Sequence, residues 1–136
     1  INSIPDKLIQ KLSSKMAPQI TIKKDYILIE PKAGIGVREI QQGLARLYFI
    51  EGMPEQNRIW IFREGPQNLS KADLIRLKNM VRDYYPADAS IRKTALVVPS
   101  EQQAAVAESF IKIAADLPQK FKVFTHLADA EAWVKE

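Results

Sequence analysis

With no cysteine among its 136 residues, the chain forms no disulfide, builds no thiolate zinc site and carries no sulfur nucleophile. Its single histidine, His126, excludes a multi-histidine metal centre. No apolar run approaches the roughly 18 residues that a membrane span requires. There is no Gly-Lys-Ser/Thr sequence to cradle a phosphate and no Gly-x-Ser-x-Gly elbow to present a serine to His126. The chain starts at Ile1 and shows no secretory apolar stretch, so a cytoplasmic setting is expected. These absences remove most nucleophilic, metal and nucleotide chemistry.

What is present suits one globular domain. Apolar residues make up 46% of the chain and charged residues 26%, close to the soluble average. A domain of this length buries roughly two-thirds of the surface its unfolded chain exposes, enough to stand without staples. The formal net charge is +4, and its placement is uneven. Residues 1–24 hold five lysines against one acid, whereas the remainder is balanced. A nucleic-acid binder would carry a basic stripe with stacking aromatics on the folded body. None is evident, and no nucleic-acid partner is expected.

The hydrophobic pattern divides the chain into residues 1–19 and residues 20–136. In the first part, Ile4, Leu8, Leu12 and Met16 recur every four residues, with Lys7, Lys11 and Lys15 along one flank. That spacing predicts a basic amphipathic helix, which must pack on its own domain, on a twin subunit in a homodimer, or on a lipid or protein surface. In the second part, two short β-type runs (20–23 and 26–30) precede alternating helices and strands. RIWIFR (58–63) and TALVV (94–98) are apolar on both faces, as central, doubly covered strands are. Lys122 in the last strand suggests an edge. Ser70 and Asp73, then Ser100 and Gln103, have capping-box spacing, and Thr125 is placed to cap the last helix. The expected order is β-β-α-β-α-β-α-β-α: an α/β fold with a mostly parallel five-stranded sheet and packed helices.

Residues that suggest chemistry are few. Gly34-Ile35-Gly36 follows a strand and opens a helix, but Glu39 stands where a dinucleotide fingerprint needs its third glycine. We read it as a turn. The strand ends, Glu30, Arg63, Val98 and Phe124, gather no acidic cluster for magnesium and phosphoryl transfer. No catalytic, metal or cofactor residue is nominated, and an enzyme is not expected. Carboxylates that meet only in three dimensions leave a small acid-site enzyme as an alternative. Small residues (Ala104, Ala107, Ala114, Ala115) face large aromatics across the expected core, and they either interlock or leave an apolar cavity.

From Lys93 to Val134, a buried strand (KTALVVPS), an alanine-rich helix, a short strand and the ending VFTHLADAEAWV resemble the SpoIIAA-like branch of the STAS-like fold. The earlier YILIE strand, glycine turn, helix and RIWIF strand fit the same layout. The resemblance implies a bacterial, non-enzymatic binding or regulatory module that acts through a protein partner or an apolar small molecule. It also implies a phosphorylation or partner site at Ser70, the start of the helix after RIWIF, although Asn-Leu-Ser-Lys-Ala departs from the family's sequence there. A peripheral membrane protein using Ile4, Leu8 and Leu12 with Lys7, Lys11 and Lys15 is the alternative reading.

Overall fold

Strands apolar on both faces belong in the middle of a sheet, because each face must be covered by something else. The computed structural model describes residues 19–31, 37–48, 56–62, 69–84 and 92–136, with only the backbone of Glu39, Tyr48 and Tyr84. Within them lie β1 (Gln19–Ile22), β2 (Ile27–Glu30), α1 (Val37–Tyr48), β3 (Arg58–Ile61), α2 (Lys71–Tyr84), β4 (Arg92–Val97), α3 (Glu101–Ile113), β5 (Gln119–Phe124) and α4 (Leu127–Val134). The expected N-terminal helix, with Ile4, Lys7, Leu8, Lys11, Leu12 and Lys15, lies outside the described residues, as does the turn at 34–36.

The five strands stand side by side in chain order. β1 and β2 form an antiparallel hairpin, closed where the Lys23 N–H donates to the Tyr26 carbonyl at 2.9 Å. From β2 to β5 every neighbour is parallel. The RIWI strand is therefore central, and the strand bearing Lys122 is an edge. β5 begins at Gln119, because Gln119 and Lys120 continue the ladder opposite Arg92 and Lys93.

Strand order decides where the helices go. Consecutive right-handed crossovers that always step the same way along a sheet deposit their helices on one face. Leu44 and Leu47 of α1, Val81 of α2 and Ala107 of α3 accordingly share a core with Ile27, Trp60 and Leu96. Among the described residues the opposite face receives α4, whose Ala130 and Val134 pack on Ile59, Ile61, Ala95 and Val97. The period-two alternation of RIWIF thus feeds two separate cores, Trp60 and Phe62 on one side and Ile59 and Ile61 on the other.

Two local expectations are corrected. Thr125 does not cap α4. The N-cap is His126, which makes no side-chain capping bond, and the Thr125 hydroxyl instead lies 3.2 Å from His126 Nδ1. The helix begins one residue later than the pattern suggested, which leaves Thr125 out of reach of the first-turn amides. Ala115 is exposed rather than inward-facing, because α3 ends at Ile113 and the chain turns away there.

One polar side chain ties the N-terminal ends of the strands to α4. The Asn57 Nδ2 donates to the Val134 carbonyl at 2.8 Å, and its Oδ1 accepts the Lys93 N–H at 2.9 Å. Both are partly buried, so losing the amide strands two backbone groups. Asn57→Ala is expected to lower stability by about 1–3 kcal/mol in urea unfolding. A loss below about 0.5 kcal/mol would show that water replaces the amide and that the tie is dispensable.

Candidate functional site: an apolar cavity with a polar end

Between the sheet and the three helices on its crowded face, the side chains leave a partly enclosed cavity of about 90 Å3. From the sheet, Trp60, Phe62, Leu96 and Val98 form its floor. From the helices, Leu44, Leu77, Val81 and Ala107 form its roof. Phe110 of α3 meets Phe121 of β5 edge-on at 5.6 Å, closing one side, while Trp60 and Phe62 stack at 6.1 Å along the floor. For scale, an engineered cavity of roughly 150 Å3 with similar walls stays dry and takes up benzene. A space of the present size suits a short alkyl chain or part of a larger apolar molecule.

The sequence posed interlocking against a cavity, and the alanines answer differently one by one. Ala114 is fully buried in the close-packed core. Ala104 packs against that core while partly exposed. Ala107 belongs to the same core and also lines the cavity.

The polar end of the cavity was not anticipated. Arg58, Thr94 and Gln119 are all part of the wall. Arg58 pairs in register with Thr94, and Arg92 with Gln119, so these residues occupy adjacent rungs at the beginnings of β3, β4 and β5. Arg58 is only 3% exposed. Desolvation pulls its guanidinium down to about 10, which still leaves it cationic at neutral pH. The Thr94 hydroxyl donates to the Gln119 Oε1, whereas the Gln119 Nε2 is shielded from solvent and makes no hydrogen bond. A sequence signal for this end existed. Arg58, Trp60 and Phe62 share one parity, as do Thr94, Leu96 and Val98, so a polar residue two places before each apolar pair belongs to the same face.

Ser70 sits at the start of α2, next to Leu69 in the cavity wall, and forms a reciprocal cap. The Asp73 N–H donates to the Ser70 Oγ at 3.1 Å, and the Ser70 N–H donates to the Asp73 Oδ2 at 3.0 Å. The Ser70 backbone bond first, and its hydroxyl second, hold the Asp73 carboxyl below its ordinary value of 3.8. A phosphate on Ser70 would stand beside that carboxylate and compete for the same amides. His126 is exposed, with Asp129 Oδ2 4.0 Å away. No group of three or more His, Asp or Glu side chains that could hold a metal ion occurs among the described residues. No helix among the described residues is long and apolar enough to cross a membrane.

Set against family models, curated proteins and solved structures, the chain matches none.

Replacing the cap tests its role. Ser70→Ala is expected to cost about 1 kcal/mol in chemical unfolding at neutral pH, and an unchanged midpoint would contradict the reciprocal cap. Because the Asp73 carboxyl is lowered in the folded protein, its contribution is complete above 3.8 and fades as pH falls through the lowered value. Wild type should therefore lose stability relative to Asp73→Asn only on the acid side. A difference that stays constant with pH would contradict it.

Proposed function

We propose that this chain is a non-enzymatic binding module of the STAS-like, SpoIIAA-like kind, and that its ligand is a small apolar molecule held between the sheet and α1, α2 and α3. The observation that carries this reading is the partly enclosed cavity of about 90 Å3 with almost wholly apolar walls. Cores normally fill such space, since each unfilled volume forfeits dispersion contacts on its lining. A gap bounded by Trp60, Leu77, Val81 and Phe110 costs stability in the empty protein and recovers it when occupied. The resemblance from Lys93 to Val134 supports the same reading, as does the succession of crossover helices on one face with a final helix on the other. Binding of this sort requires no reactive side chain, and the module would act by changing what its helix surface presents when the ligand is in place.

The test is to fill the space. Ala107→Phe places a ring where the cavity lies, and the extra apolar contact should leave stability unchanged or higher. Wild-type protein should bind the neutral dye Nile red saturably with a blue-shifted emission. Ala107→Phe should weaken that binding by about tenfold or more, the effect of losing on the order of 1.4 kcal/mol of contact. Unsaturable dye binding, or equal affinity in the two proteins, would contradict the reading.

A further inference from the structure

The cavity is apolar over most of its wall, yet it is not symmetrical. At the beginnings of β3, β4 and β5 its lining passes from Trp60, Leu96 and Phe121 on the sheet to Arg58, Thr94 and Gln119. One rung further out, Arg92 pairs with Gln119 on the same face of the sheet as Thr94. The Arg92 Nε, like the Gln119 Nε2, is shielded from solvent and makes no hydrogen bond. Buried donors of this kind are uncommon, because each forgoes its hydration without recovering a partner. Here two of them adjoin a buried cation at one end of an otherwise greasy space.

The acids near that end do not reach Arg92. The acid nearest in sequence to Gln119 is Asp116, and it is engaged by Lys78 at 2.8 Å. Glu136, at the chain end described here, lies 3.7 Å from Lys93, whose side chain projects to the opposite face of the sheet from Thr94. No carboxylate among the described residues pairs with Arg92.

Building on the proposed apolar-ligand reading, we infer that the ligand is an amphipathic monocarboxylate: its short alkyl chain fills the space above Trp60 and Leu96, and its carboxylate lies at the Arg58–Thr94–Gln119 end, within reach of Arg92. A carboxylate supplies two oxygens that accept from guanidinium and amide N–H groups, and charge-assisted bonds of this type are about twice as strong as neutral ones. A hydroxyl head on the same chain gains the apolar contact but accepts weakly from the same donors. Discrimination between the two heads therefore reports on the polar end, while uptake of either reports on the cavity.

The experiment is a competition assay against bound Nile red with octanoate and with 1-octanol, at neutral pH. Octanoate should bind the wild-type protein at least about tenfold more tightly than 1-octanol. In Arg92→Met and in Gln119→Glu, octanoate should weaken until the two ligands differ by less than about threefold, with 1-octanol little changed. Circular dichroism checks each fold, and the wild-type ratio stands without any variant. Equal binding of the two ligands to wild type would overturn the carboxylate assignment and leave the apolar cavity reading intact. A preference for octanoate that survives in both folded variants would overturn its placement at this end. Failure of both ligands to displace the dye would overturn the assignment together with the reading on which it rests.

Discussion

The constraint on which this molecule depends is the handedness of its crossovers. Four parallel strands laid down in chain order oblige α1, α2 and α3 to share one face. Three helices must then be packed over β2 to β5, while the other face is served by the eight-residue α4. Crowding of this kind favours small residues on at least one helix. α3 supplies them as alanines: Ala107 and Ala114 both belong to the core, and Ala107 also lines the cavity. The cavity is what that packing leaves, with Trp60, Ala107 and Phe110 in its wall.

The second core lies between the sheet and α4. Ile59, Ile61, Ala95 and Val97 meet Ala130 and Val134. Polar ties hold that layer in place: Asn57 to Val134 and Lys93, the Lys93 ammonium to the Trp133 carbonyl at 2.9 Å, and the Tyr26 hydroxyl donating to Glu131 at 3.0 Å. Burial raises the Tyr26 hydroxyl above its ordinary value, with the bond to Glu131 adding to the effect. One face is thus pinned by polar ties, and the other holds the space that a ligand would use.

Much of this is legible in the sequence. RIWIF reads as a central strand because both of its faces are apolar, and a second such run, TALVV, stands beside it. Lys122 marks the edge, and the reciprocal Ser70–Asp73 cap is visible as a spacing of three. The cap at Thr125 misled, because a shift of one residue in a helix start moves the capping role to its neighbour, and nothing in the pattern resolves a single residue. The cavity could be posed but not decided, since a small residue opposite a large one interlocks or gapes according to sub-ångström placement of the helix. The polar end was hidden for a different reason. Arg58 reads as a strand boundary until its parity with Trp60 and its pairing with Thr94 are known, and Gln119 belongs to the strand only once β5 is seen to start there.

The central claim is that the gap between the sheet and α1, α2 and α3 is an accessible apolar space in the native protein. Xenon is the most direct probe, because it has no polar demands and enters apolar cavities under modest pressure. A crystal of this protein under xenon should show an ordered atom bounded by Trp60, Leu77 and Ala107. Side chains closed over that position, with xenon absent or bound only elsewhere, would contradict the account.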